Sequence, residues 1–302
     1  MTTILLNSAG LFLIIVLAYL TKRANLLSKA DGNTLSLIVI NVTLPAAIIV
    51  NLTRLEVKLN LLLLIVLGIG LNLLFVLLGG AFSRKQKPVE RAFIMHCGSG
   101  YNVGNFALPF VQSFLPQAIP LLSLFDIGNS VMLAGGSNVV VEALTGDAEK
   151  RPSPALIAKR LARSVPFLVY LVMLILRSFA IELPKEVTQV IQPIASANTF
   201  LSMFMIGLFL ELRLPRKELN LVGRLLAIKY GFGLAIAVLF ALLPLPAIIK
   251  LVLCLLAIGP VPTFGVISSV NAGMRAEVVG FTSSLSFLIS LPLMTAMLLV
   301  TL

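Results

Sequence analysis

Residues 96–110 read HCGSGYNVGNFALPF, and they lie inside one of the most hydrophobic stretches of the chain. Gly100 and Gly104 are poor helix formers, Pro109 cannot donate a backbone hydrogen bond, and Asn102 and Asn105 bring side-chain amides into apolar surroundings. A helix crossing a bilayer satisfies all its backbone groups internally. Irregular backbone at that depth is tolerated only when buried in protein or lining a cavity. The stretch therefore predicts a helix broken on purpose.

Its surroundings set the class. The chain has 302 residues, 59% hydrophobic and 12% charged, with mean hydropathy +1.06. Apolar runs approach the length of roughly 20 residues that spans a hydrocarbon core. Ten such runs fall at about 3–21, 35–53, 61–82, 90–112, 119–143, 161–180, 189–210, 219–242, 246–271 and 277–301, with ends uncertain by about 2–4 residues. The fold class expected is all-α, a polytopic membrane protein with ten transmembrane helices. The amino-terminal MTTILLNSAG has no basic region and no clear cleavage site, so the first run is expected to stay as a span.

The net charge of +11 is a topology signal. Of 23 Lys and Arg residues, 17 fall in alternate loops: Lys22, Arg23 and Lys29; Arg84, Lys85, Lys87 and Arg91; Lys150, Arg151, Lys159, Arg160 and Arg163; Arg213, Arg216, Lys217 and Arg224; and Arg275. The other side receives Arg54, Lys58, Arg177, Lys185 and Lys250, while Lys229 lies within a span. The positive-inside rule then puts both termini outside the cytoplasm. A nucleic-acid surface would need a soluble basic face with aromatics, and the pattern leaves none. Cys97 and Cys254 are expected as buried thiols toward opposite membrane faces, unsuited to a disulfide.

The polar stretch LTGDAEKRPSPALIAKR, residues 144–160, is the one break in composition, and it divides the runs five and five. Five is odd, so related halves would be inverted, a common plan of secondary transporters. The domains expected are a first five-helix repeat (1–143), a cytoplasmic linker (144–160) and a second, inverted repeat (161–302). The plan requires the fourth run's break to recur in the ninth. There the sequence reads AIGPVPTFG, residues 257–265, with Gly259, Pro260, Pro262 and Gly265. Weaker echoes surround Pro45 and Pro193, each readable as a simple kink.

NVTLPA (41–46), YNVGNFALP (101–109), IGNSVML (127–133), the Pro-broken ninth run and SLSFLISLPL (284–293) together resemble the auxin efflux carrier family. The resemblance implies ten helices in two inverted repeats, the fourth and ninth crossing at their unwound centres. It implies a helical scaffold moving against that crossing, and transport of organic anions. The chain lacks the long cytoplasmic loop of PIN-type carriers and has no acidic residue in 61–82.

A second half-helix starting near Asn102–Asn105, with Asn as N-cap, and another starting near Thr263 would both aim their N-termini at the crossing. Two such ends favour an anion, most simply a carboxylate. The substrate-binding residues expected are Asn102, Gly104, Asn105, Asn129, Pro260, Pro262 and Thr263, with no cofactor and no metal. By the resemblance, Asn129 occupies the position where relatives place an amide near the substrate carboxylate. Three ionisable groups are open between coupling or gating and a structural reading. Asp126 shares the Asn129 face and is readable as a satisfied acid. Lys229 is readable as snorkelling to the cytoplasmic surface. His96 is readable as packed and neutral.

An intramembrane enzyme is disfavoured. One histidine and two separated cysteines cannot build a metal or haem centre, only Asp126 qualifies as a membrane acid, and Ser99 beside His96 makes a poor pair. A sodium-coupled organic-anion symporter resembling the bile acid family is the alternative, weakened by the lack of an acid in either break. A receptor or signalling protein is the alternative of another class, weakened by the lack of a soluble output domain. The partners implied are a small organic anion and the lipid bilayer, with a homodimer left open. The location implied is the plasma membrane, or the inner membrane of a bacterium.

Overall fold

A computed structural model describes residues 1–53, 55–146, 151–213 and 216–301. Arg54, Lys150 and residues 147–149 of the expected linker lie outside them. Among the described residues the chain is all-helical. Seven helical segments are long and apolar enough to cross a membrane, at Thr2–Arg23, Lys29–Leu52, Leu59–Phe82, Pro116–Thr145, Lys185–Phe209, Leu219–Leu242 and Ala276–Thr301. An eighth arises if Pro154–Ala162 and Val165–Ser178, bent by 81°, count as one. This is a multi-pass membrane protein.

The first of these is α1 (Thr2–Arg23). The second contains α2 (Lys29–Ile38) and α3 (Leu44–Leu52), joined by a π-helical turn at Val39–Thr43 just before Pro45. Proline lacks the N–H that would bond back to the preceding turn, and the wider turn absorbs that loss. A capping box starts α2: Ser28 Oγ accepts from Asp31 N, and Asp31 accepts from Ser28 N at 2.7 Å. Then follow α4 (Leu63–Phe82), α5 (Pro88–Gly98) and α6 (Leu108–Phe114). Next come α7 (Ile119–Val131) and α8 (Ser137–Thr145), joined by a π-helical turn at Met132–Gly136.

The expected linker is partly helical. Pro154–Ala162 forms α9, because Ser153 accepts from Leu156 N as an N-cap and Pro154 sits at the first turn, where its missing N–H costs nothing. Beyond it lie α10 (Val165–Ser178), α11 (Lys185–Phe209), α12 (Leu219–Leu242), α13 (Ala247–Ala257), α14 (Thr263–Asn271) and α15 (Ala276–Thr301). Pro193 lies inside α11, which continues through it.

Polar contacts sort the helix ends. Lys29 pairs with Glu211 at 3.5 Å, Arg275 pairs with Glu218 at 2.6 Å, and Lys22 donates to Leu210 O. The turns α1–α2, α11–α12 and α14–α15 therefore share one end. At another place Arg177 donates to Leu55 O at 2.9 Å, joining the ends of α3 and α10. Backbone approaches are close where glycine allows it. Gly68 of α4 packs on Phe125 O and Gly128 of α7 on Ile65 O, with no room for a Cβ on either side. Gly207 of α11 packs likewise on Ile15 O, and Gly233 of α12 on Ala257 O. Small residues are the usual means of helix contact in lipid, where burying apolar surface gives little drive.

Candidate substrate site

Both expected breaks are present. Helix α5 ends at Gly98, residues 99–102 are non-helical, and a π-helical turn at Val103–Ala107 leads into α6. Gly100 has φ +74, the left-handed region that glycine enters without strain. Helix α13 ends at Ala257, residues 259–262 are non-helical, and α14 begins at Thr263.

The two breaks lie against each other. Asn102 Nδ2 donates to Val261 O at 3.2 Å, and Asn105 Nδ2 donates to Thr263 Oγ1 at 3.3 Å. A Cβ on Gly100 would stand 2.8 Å from Pro262 Cγ, and Gly265 packs directly on His96 O. The segment around Asn102, Gly104, Asn105, Pro260, Pro262 and Thr263 is thus one contact region. Asn102 and Asn105 are buried in it.

The capping expectation is corrected. Asn102 does stand at the N-cap position, but neither it nor Pro262 gives a side-chain cap to the following helix. The Asn102 amide is committed across the interface to Val261 instead. The first backbone bonds are Ala107 N to Asn102 O and Val266 N to Pro262 O. The N–H groups of Val103–Asn105 and of Thr263–Gly265 therefore precede the first turn of each ladder without a side-chain acceptor.

Each break is braced from two other helices. Asn129 of α7 grips the Tyr101 peptide: its Oδ1 accepts from Tyr101 N at 3.2 Å and its Nδ2 donates to Tyr101 O at 3.0 Å. Asn72 of α4 donates to Asn129 Oδ1 at 3.1 Å. In the second half, Ser286 Oγ accepts from Val261 N at 3.0 Å and Ser290 Oγ donates to Ile258 O at 2.8 Å. Tyr230 of α12 braces both serines, donating to Ser286 O and lying 2.8 Å from Ser290 Oγ. At each break a side chain from another helix thus replaces the backbone partners that the break forfeits.

The ionisable groups fall around the first break. Asp126 is buried and tied at both oxygens, accepting from Asn129 Nδ2 at 2.7 Å and from the Tyr170 hydroxyl at 3.0 Å. Lys229 does not snorkel: it is 3% exposed, and its Nζ donates to Gly100 O at 3.4 Å. Its side chain turns inward onto the first break, while that of the neighbouring Tyr230 turns onto the brace of the second.

A cavity of about 720 Å³ opens beside His96 and is lined by Asn138, Glu142, Arg151, Arg160, Ser268 and Asn271 among others. A second, of about 520 Å³, shares Asn138, Arg160, Ser268 and Asn271 and reaches Ser130 and Leu133. Arg160 also donates to Ala134 O at 2.9 Å, so α9 is fastened over the π-helical turn of the α7–α8 segment. Asn102, Asn105 and Asn129 line neither cavity. Asn138, Ser268 and Asn271, which line both cavities, are not singled out by the sequence reading. The polar run GGSN at 135–138 and ISSVN at 267–271 were their signal, and both resemble ordinary interhelical glue.

Among the described residues no group of three or more His, Cys, Asp or Glu side chains could hold a metal ion. Cys97 and Cys254 are free and buried. A comparison with curated proteins finds no match. Residues 3–145 match the family model described as "membrane transport protein", which supports the resemblance to the auxin efflux carriers over that segment.

Proposed function

We propose that the protein is a secondary transporter that carries small organic anions, in the first place carboxylates, by alternating access. The family is one of transporters rather than enzymes, and it supports transport as the activity. The anion is inferred from the site. One observation carries it: two uncapped helix N-termini, at Val103 and Thr263, begin at breaks that touch each other. Each offers free N–H groups and a partial positive charge of up to about half an elementary charge. An anion between them would supply the acceptors that neither side chain provides.

In this reading the ten runs of sequence form two inverted five-helix repeats, 1–143 and 161–302, linked through 144–160. Helices α5–α6 and α13–α14 cross at their breaks as broken spans four and nine. The matching braces favour it, since Asn129 with Asn72 and Ser286 with Tyr230 do the same work in each half. Asn102, Gly104, Asn105, Thr263 and the backbone around Pro260 and Pro262 would form the binding surface, with Asn129 holding it in shape. The cavities beside Arg151 and Arg160 are then the cytoplasmic vestibule, with both termini on the far side of a plasma membrane.

Purified protein titrated with benzoate, succinate and citrate tests the reading. Saturable binding of one of them, weakened by Asn105→Asp through repulsion of like charges, is the expected result. Indifference to all three, in protein that elutes as a single folded species, would remove carboxylates as the substrate class.

A further inference from the structure

Lys229 has no evident reason to be where it is if only stability mattered. A buried ammonium is costly unless paired, and among the described residues no carboxylate forms an ion pair with it. Of the helices packed on α12, α4 contributes no titratable side chain over Leu63–Phe82. Helix α5 contributes His96 and Cys97, and α13 contributes Cys254 and Lys250. Glu277 stands at the far start of α15, and Arg91 and Glu90 in the first turn of α5. The Cys97 thiol lies 3.2 Å from Ser269 Oγ.

The ammonium has three N–H donors. One reaches Gly100 O, the carbonyl just past the C-terminal end of α5. That end carries the negative pole of a half-helix, where broken-helix carriers place a coupling cation on free carbonyls. A second feature points the same way. Asn72 Oδ1 is buried without a hydrogen-bond partner, and it lies 3.4 Å from where a Gly100 Cβ would be. Two donors of Lys229 and one acceptor of Asn72 are thus left over at the same turn of backbone.

We propose that the Lys229 ammonium is the resident cation of the transport site, standing where a coupling metal ion would bind, so that the substrate anion is carried without sodium. This rests on the transporter reading. Lys229 neutralises the carbonyl end of α5, its spare donors are available to an anion at the break, and the charge of the bound anion is balanced by the protein itself.

Two measurements test it on the purified full-length protein. The first needs no substrate. The melting temperature in sodium chloride is compared with that in choline chloride at equal ionic strength, for wild type and for Lys229→Met. Wild type should melt at the same temperature in both salts. Lys229→Met should fold and melt no lower, because a flexible apolar side chain replaces an unpaired buried charge. A wild type stabilised by sodium alone overturns the proposal, whatever the carboxylates do. The second measurement is binding of benzoate, succinate or citrate, whichever the wild type takes. Lys229→Met should weaken it at least about tenfold and Lys229→Arg less, with no sodium dependence in wild type. Equal binding by Lys229→Met also overturns it. Should wild type bind none of the three, the carboxylate reading fails, and the salt comparison still decides between a resident and a metal cation.

Discussion

The two breaks reach the same end by opposite chemistry. Around 259–262 two backbone donors are removed: Pro260 and Pro262 have no N–H, so the non-helical segment leaves Gly259 and Val261 to be satisfied. Gly259 N bonds to Leu256 O at 3.0 Å and Val261 N to Ser286 Oγ, and neutral hydroxyls suffice. Around 99–102 there is no proline, every N–H remains, and the chain supplies partners instead. The Asn129 amide takes both groups of the Tyr101 peptide, and a π-helical turn spreads the rest. Among the described residues the carboxylate and the ammonium stand at this break, with Asp126 beneath Asn129 and Lys229 on Gly100. The second break is a stiff frame. The first is the one that can respond to charge.

That asymmetry predicts unequal damage. Asn129→Leu should cost the most stability. It strands the buried N–H and C=O of Tyr101, each worth about 1–3 kcal/mol when unsatisfied, and removes a donor from Asp126, for a total of roughly 3–5 kcal/mol. Ser286→Ala strands only Val261 N and should cost about 1–3 kcal/mol. Thermal unfolding of the two variants side by side is the check, and equal losses would mean that the breaks are braced alike.

Gly100→Ala should follow. It forces a Cβ into the left-handed region, about 1–2 kcal/mol, and against Pro262 Cγ at 2.8 Å and Leu133 Cδ2 at 2.9 Å. With overpacking added, the loss should reach roughly 2–4 kcal/mol. Gly104→Ala meets only the end of the Leu44 side chain, which can turn away, so its loss should stay below about 1 kcal/mol. A melting curve for Gly104→Ala as low as that for Gly100→Ala would show that the first break is tight throughout rather than at its left-handed turn.

The breaks were legible in the sequence because their cause is local. Glycine, proline and asparagine at 98–105 and 259–265 forbid a regular ladder whatever surrounds them. The membrane class was legible for a similar reason, since run length and hydropathy add along the chain. What could not be read was direction. Lys229 and a snorkelling lysine have the same sequence signature, and only the packing of α12 on α5 decides which way the chain points. Asn102 looked like an N-cap because spacing cannot distinguish a bond to the next turn from a bond to Val261, 159 residues away. Helix α9 was within reach, since Ser153 followed by Pro154 is a helix start, but the charged residues before it drew the reading toward a loop. In the proposed pairing of the halves the matching braces are Asn129 and Ser286, which share no side-chain chemistry, so comparing letters does not align them.

The smallest effect on stability should come from Asn105, and that is what makes it informative. Its Nδ2 makes one long bond to Thr263, and its Oδ1 is buried without a partner. Asn105→Ala removes a weak bond, about 1 kcal/mol, and with it an unsatisfied acceptor whose burial costs a comparable amount. The two nearly cancel, so the melting temperature should hardly move. A side chain that does so little for the fold, yet sits 8% exposed where both half-helices begin, has its use in the bound state. Carboxylate affinity should therefore fall on the order of tenfold in Asn105→Ala while stability stays within about 1 kcal/mol. Asn105→Asp should bind more weakly still. If Asn105→Ala melts several degrees lower and binds as wild type does, Asn105 belongs to the brace and the anion lies elsewhere along the two breaks.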